Sequence, residues 1–428
     1  MIFFNIISAS VLNQVVSTPS PVESNFLADV YGIPGYGQSL AINSSAGAST
    51  YLATEPLSYD KNLTNTNIQD MAAGVAEAFS LMAVEDGVSL PANFKIINTV
   101  NGGGGLSVSQ LSKGSSYYTS LLNSVTTAKA SCDNAGLTFN VPCFTWTQGE
   151  ENMRAAGVAT QYGTGTFDPL TYAAQLTQLV NDLNTDVKSI TGQINDVLCI
   201  SYQVASHNPY SRYPRIAMQQ DLASQNDSRI KLAKVMYDLD YDLNDEVHAP
   251  ARSYRNMGNM YGVAAWKATV MNQAYKNLRP ISHVVNGTEV TITFDVPVSP
   301  LVLDTTLVNQ LADGNYGFNI LNVSGEDSGV SGTIAEATTR ITNVSLSGTD
   351  KVVLTCSRTP VAGERITYAI NGGGWEEIDG FDDNNNGTSG RIDGARGCLR
   401  DSQPIKNNNS GAFFTDLYNW SVIFEIQI

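Results

Sequence analysis

From about Glu23 to Ala274 the apolar residues alternate between two rhythms. Short apolar runs predict strands at Phe26–Pro34, Phe94–Val100, Leu137–Trp146, Ile194–Val204 and Ile230–Met236. Between them the spacing turns helical. Met71, Val75, Ala78, Phe79 and Met82 mark a helix in Ile68–Glu85, and Tyr117, Leu121, Leu122, Val125 and Ala128 mark a second. Leu176, Leu179, Val180, Leu183 and Val187 mark a third in Thr171–Ile190, with further helical patterns at Arg215–Ala223 and Ala251–Ala274. Strand alternating with helix predicts an α/β domain with a parallel sheet covered on both faces, and ligand sites in such sheets lie beyond the carboxyl ends of the strands. Near Asn277-Leu278-Arg279-Pro280 the helical spacing stops. Val290–Phe294, Gly317–Ile320, Lys351–Thr355 and Arg365–Ala369 read as short strands between polar turns, which predicts a C-terminal β-sandwich. The expected organisation is an N-terminal extension over 1–22, an α/β domain over 23–277 and a β-sandwich over 281–428.

Composition narrows the function classes. The 428 residues carry 24 Lys and Arg against 40 Asp and Glu, a net charge of −16, which repels phosphates and excludes a nucleic-acid or anionic-membrane surface. No apolar run reaches the roughly 18 residues that span a bilayer. The apolar Met1–Ile7 lacks the basic residues of a secretory signal, so it is expected to belong to the fold or to an oligomer contact. Few charges with abundant Gly, Tyr, Ser, Thr and Asn suit an extracellular, sugar-facing protein. The five cysteines show no C-x-x-C pair and no metal-ligand spacing with histidine. A disulfide framework is not expected, and Cys356 with Cys398 is the one pairing that geometry could allow.

Against this background Gly37-Gln38-Ser39-Leu40 stands out at the end of the first strand. A glycine-flanked turn there holds a hydroxyl clear of its neighbours, as a nucleophile requires. Such a serine needs a base, and the chain has three histidines, His207, His248 and His283. His283 opens the sandwich. His207 follows the fourth strand and, with Tyr210, is a candidate to touch substrate, but it has no carboxylate nearby in sequence. His248 lies three residues after Asp245, which can accept from Nδ1–H and leave Nε2 to take the serine proton. Acyl transfer also needs donors for a developing oxyanion. The Ser39 amide, a glycine amide at Gly104 or Gly105, and the Gln148 side chain all follow predicted strands. Glu150 and Glu151 are adjacent on one turn, which disfavours a glycosidase pair.

Gly37-Gln38-Ser39, Gly104-Gly105, Trp146-Thr147-Gln148-Gly149-Glu150 and Asp245 to His248, in that order, resemble the SGNH (GDSL-like) hydrolase superfamily. Within it, the chain looks most like the carbohydrate O-acetylesterases related to sialate O-acetylesterase. The resemblance implies a flavodoxin-like three-layer α/β fold and a serine mechanism that requires no cofactor. It makes Ser39 the nucleophile, His248 the base and then acid, and Asp245 the orienting carboxylate. Ser39, Gly104 or Gly105, and Gln148 form the oxyanion hole, and an acetylated polysaccharide or glycan is the substrate. Leu40 departs from the commoner Asn after Gly-Gln-Ser, and Ala249 from a frequent proline after the histidine. A non-catalytic glycan-binding or adhesin module and a lipid or thioester hydrolase are the competing readings.

Gly394 to Ser402 and Leu417-Tyr418-Asn419-Trp420 resemble the ends of esterase modules in bacteriophage tail proteins, which implies a virion-associated setting and a homo-oligomer, a trimer if tail-associated. The sandwich is expected to bind glycan, hold such a trimer or shield a sheet edge. Asp382, Asn384, Asn386 and Asp393 have the oxygen-ligand spacing of a structural calcium loop.

Overall fold

A computed structural model describes residues 25–42, 57–65, 71–156, 168–205, 214–239, 247–308, 310, 313–324, 333–370, 396–405 and 417–428. The strands of the first half are β1 (Val30–Gly32), β2 (Gly35–Gly37), β3 (Ser58–Tyr59), β4 (Lys95–Ile97), β5 (Val100–Gly102), β6 (Phe139–Asn140), β7 (Cys143–Thr147), β8 (Leu198–Gln203) and β9 (Ile230–Val235). Their ladders run β3-β4-β1-β6 and β5-β2-β7-β8-β9, and every pairing among them is parallel.

Each of the first three strands expected from the sequence is therefore a pair of short strands broken at one level of the sheet. Pro34 and Pro142 stand at two of the breaks, where the missing N–H interrupts the ladder. Hydrogen bonds still carry the sheet across: Ile33 N donates to Ile97 O (2.9 Å), Gly35 N to Thr99 O (2.7 Å) and Thr145 N to Pro34 O (3.0 Å). Taken as continuous strands, the spatial order is second, first, third, fourth, fifth. That is the flavodoxin-like order, whose switch point lies beside the first strand.

The helices are α1 (Met71–Glu85), α2 (Ser116–Asn134), α3 (Glu150–Ala156), α4 (Tyr172–Thr191), α5 (Arg215–Asn226) and α6 (Ala251–Thr269). Helix α1 packs on α6, while α4 packs on both α2 and α5, giving the outer layers. The α1–α6 crossing is close: a Cβ on Gly258 would lie 2.0 Å from Met71 O. The buried pair of Arg255 Nε and Glu77 Oε2 (2.8 Å) spans the same crossing. Local signals set the ends of other helices. Ser115 caps α2 by accepting from Tyr118 N, and Gly192 ends α4 in the left-handed region at φ 74°. Trp146, Tyr36, Phe144, Phe79 and Trp266 are fully buried between the layers.

From Arg279 onward the pairing is antiparallel. One four-stranded sheet joins Arg279–Asn286, Glu289–Asp295, Lys351–Cys356 and Ile341–Ser347, and another joins Thr333–Glu336, Phe318–Ser324, Glu364–Tyr368 and Phe424–Gln427. Phe294 of the first meets Phe424 of the second edge-on, with ring centroids 5.9 Å apart, as the inner faces of a sandwich do. A smaller sheet of Val302–Leu303, Leu399–Ile405 and Leu417–Trp420 adjoins them.

This β region closes on the outer strand of the parallel sheet. Tyr275 OH donates to Ala233 O (2.9 Å) and Asn277 Nδ2 donates to Leu232 O, so side chains occupy carbonyls of β9. Just past the end of β9, Tyr237 OH donates to Ser421 O (2.6 Å). Gln203, fully buried at the end of β8, grips the Ile423 backbone twice: Nε2 donates to its O (2.9 Å), and its N donates to Oε1 (2.7 Å). All five cysteines are buried and free, so Cys356 and Cys398 do not pair. No described helix is long and apolar enough to cross a membrane.

Candidate active site

The ends of β2, β5 and β7 meet backbone to backbone. Gly37 pairs in register with both Gly102 and Thr147. A Cβ on Gly37 would fall 2.0 Å from Thr147 O, and one on Gly102 would fall 2.1 Å from Gly37 O. At φ 151° and 153° these positions also favour glycine on conformational grounds. Sequence alone suggested glycines for a sharp turn; the structure adds that no side chain fits between the strands.

Ser39 begins a short 3-10 helix, Ser39–Ile42, directly after β2, and is mostly buried. His248 lies just before α6, and its Nε2 is 2.7 Å from Ser39 Oγ. That is the separation at which an imidazole can take a hydroxyl proton. Asp245 lies outside the described residues, as do His207, Tyr210 and the candidate calcium ligands Asp382, Asn384, Asn386 and Asp393. Among the described residues no group of three or more His, Cys, Asp or Glu could hold a metal ion. His283 sits in the Arg279–Asn286 strand opposite Ile292, within the antiparallel region.

The glycine turn lies against the serine. A Cβ built on Gly104 would come 3.8 Å from Ser39 Cβ, and one built on Gly105, at φ 65°, would meet nothing within 4 Å. Among the described residues the amides of Ser39, Gly104 and Gly105 donate to no protein acceptor. The unspent amides of Ser39 and of Gly104 beside it can receive negative charge.

Gln148, the expected third donor, has other partners for its amide in this structure. It is fully buried, and both of its amide protons are engaged: Nε2 donates to Asn152 Oδ1 (2.6 Å) and to Leu106 O (3.2 Å). Its Oε1 accepts from Tyr172 OH (2.9 Å). Gln38, inside the serine motif, turns away from the hydroxyl: Oε1 accepts from Gly149 N and Glu151 N, each at 3.2 Å. This ties the start of α3 to the serine turn. Gln220 of α5 adds a second tie, accepting from Val204 N (2.8 Å) and donating to Gln148 O (3.0 Å).

The two adjacent glutamates have separate structural partners. Glu150 is buried and accepts from Tyr202 OH (2.5 Å), while Glu151 binds Arg154 Nε (2.8 Å). Burial, followed by the Glu150 charge, pushes the Tyr202 phenol well above its ordinary range, so it stays a proton donor. Gln38 entered the sequence reading only as part of the serine motif, and Asn152, Tyr172 and Gln220 were not singled out. Of these last three, only Asn152 carried a usable signal, four residues after Gln148.

The family model described as carbohydrate esterase, sialic acid-specific acetylesterase, matches residues 39–267. A search of curated proteins by sequence returns no match. Among solved structures, a carbohydrate acetylesterase from Xanthomonas citri is similar at 14% identity and TM-score 0.49, with 93% of this chain and 80% of that chain covered. A protein from Arabidopsis thaliana is similar at 12% identity and TM-score 0.41, covering 56% of this chain and 99% of that one. The protein NanS is similar at 13% identity and TM-score 0.40, covering 56% and 97%. The family match spans more than half of the sequence and takes in Ser39, Gln148 and His248, and the chain belongs to the sialic acid-specific acetylesterase family of carbohydrate esterases.

Proposed function

We propose that this protein removes acetyl groups from an O-acetylated glycan, with Ser39 as nucleophile and His248 as general base and acid. The observation that carries the reading is the 2.7 Å contact of Ser39 Oγ with His248 Nε2, between residues 209 positions apart. A module that only bound glycan would have no need to bring this hydroxyl and this imidazole together.

In the proposed cycle Oγ bonds to the acetyl carbonyl carbon as its proton passes to Nε2. The carbonyl oxygen gains negative charge beside the Ser39 amide and the Gly104 or Gly105 amide. Collapse breaks the carbon–oxygen bond to the sugar, and the Nε2 proton leaves with the sugar oxygen. Water then adds to the acyl carbon through the same base, and acetate departs with Oγ restored to a hydroxyl. Asp245 is assigned the orientation of His248 from its place three residues upstream. Each of these steps uses protein groups and water.

The family's description supports a sugar ester over a lipid or thioester. The chain's low charge content and net charge of −16 support an extracellular or virion-associated setting, which fractionation of the producing culture tests. The chemical reading is tested by acetate release from p-nitrophenyl acetate and from acetylated polysaccharides. Ser39→Ala is expected to lower turnover by about 10³-fold or more with the thermal unfolding curve retained. Wild-type turnover in that variant sinks the assignment.

A further inference from the structure

The hydrogen bonds around Gln148 form a directed chain. Trp146 Nε1 lies 3.2 Å from Tyr172 OH, and an indole N–H can only donate. The Tyr172 oxygen is therefore the acceptor there, and its one proton is shared between Gln148 O at 2.7 Å and Gln148 Oε1 at 2.9 Å. Burial pushes the Tyr172 phenol above its ordinary range, which keeps that proton in place. Leu106 O can only accept, so the amide atom 3.2 Å from it is Nε2, which leaves Oε1 on the Tyr172 side.

A second donor fixes the opposite end. Val108 N donates to Asn152 Oδ1 (2.9 Å), the same oxygen that accepts from Gln148 Nε2 (2.6 Å). Asn152 is fully buried, and its Nδ2 has no hydrogen-bond partner among the described residues. A buried amide group left unpaired is unfavourable, so the Asn152 oxygen, not its nitrogen, accounts for what this side chain contributes. One Nε2 proton of Gln148 is thus gripped by Asn152 at short range. The other is held more loosely at 3.2 Å by Leu106 O, on the turn that carries Gly104 against Ser39.

We propose that Tyr172 and Asn152 are positioning residues that clamp the Gln148 carboxamide from both sides, so that its second Nε2–H switches its hydrogen bond from Leu106 O to the oxyanion. This rests on the serine mechanism proposed above. The switch exchanges one acceptor for another and breaks no covalent bond. The stronger charge of the oxyanion favours the exchange during reaction, whereas a neutral ground-state carbonyl competes less well with Leu106 O. The clamp therefore acts on kcat more than on KM.

The test is a double-mutant cycle on p-nitrophenyl acetate hydrolysis, with kcat and KM measured for wild type, Asn152→Leu, Gln148→Ala and the double variant. Asn152→Leu is expected to lower kcat about 10- to 100-fold and leave KM within about twofold. In the Gln148→Ala background the same change is expected to cost no more than about twofold, because its target is gone. Tyr172→Phe, which keeps the ring and removes the proton, carries the same cycle if Asn152→Leu does not fold. Losses that multiply, a change confined to KM, or wild-type kcat in Asn152→Leu overturn the proposal. Ser39→Ala measured alongside separates the two ideas. Turnover surviving that change removes the serine mechanism and the clamp with it, whereas multiplying losses with Ser39 essential overturn the clamp alone.

Discussion

Ser39 Oγ and His248 Nε2 stand 2.7 Å apart although the two residues lie 209 positions apart in the chain. Two different parts of the fold hold the pair. Ser39 is fixed by strand ends packed backbone to backbone at Gly37, Gly102 and Thr147. His248 is fixed at the entrance to α6, which is locked to α1 by the close approach at Gly258 and by the Arg255–Glu77 pair.

The first of these supports is testable at Gly37. A methyl group there meets Thr147 O at 2.0 Å, on backbone that cannot swing aside, and the residue sits at φ 151°. Gly37→Ala is expected to destabilise the fold by about 1–3 kcal/mol or more and to displace Ser39. Urea unfolding with an unchanged m-value checks this. A midpoint equal to that of wild type contradicts the packing described.

A second expectation concerns the seam between the parallel sheet and the antiparallel region. The Gln203 carboxamide makes two hydrogen bonds to the Ile423 backbone in a fully buried setting. Gln203→Leu leaves Ile423 N and O without those partners, at about 1–3 kcal/mol for each buried group. The melting temperature should fall accordingly. A chain ending near Lys276 loses Asn277 and the Ser421–Ile423 segment, and is expected to be insoluble because β9 becomes an open edge. A soluble, folded truncation would contradict the seam.

The acid limb of stability has a third test. Hydrogen bonds from the Arg229 side chain hold the Asp227 carboxyl below its ordinary value, and the Thr138 hydroxyl does the same for Asp29. A carboxyl depressed in the folded state binds fewer protons folded than unfolded, so its contribution is present above the unfolded value near 4 and is lost as pH falls through the folded one. Asp227→Asn should therefore melt below wild type at pH 7, with the gap closing as the pH drops below about 4. A gap that widens in acid contradicts this sign.

Much of the site was legible because its parts sit at strand ends, where turn chemistry leaves a local mark. Ser39 after Gly37, the glycines after β5 and Gln148 after β7 could each be read from a few neighbouring residues. The pairing with His248 followed from the scarcity of histidine together with the Asp245 carboxylate three residues upstream. Hidden from sequence were contacts whose partners are remote, such as Gln203 with Ile423, 220 positions apart. Gln148 shows the limit most clearly. Its residue type announced a donor, but only the structure reveals that Leu106 O and Asn152 Oδ1 already take both protons. The strands predicted as single runs came out broken because apolar patterning does not register a missing ladder bond at Pro34 or Pro142.

The central claim is that Ser39 is a nucleophile activated by His248, and labelling with a fluorophosphonate probe tests it most directly. Peptide mapping by mass spectrometry is expected to find the label on Ser39 in the wild-type protein, and labelling slowed by about 10³-fold or more in His248→Ala. A wild-type protein that hydrolyses p-nitrophenyl acetate while its label falls on another residue, or that labels at Ser39 equally fast without His248, would contradict the account.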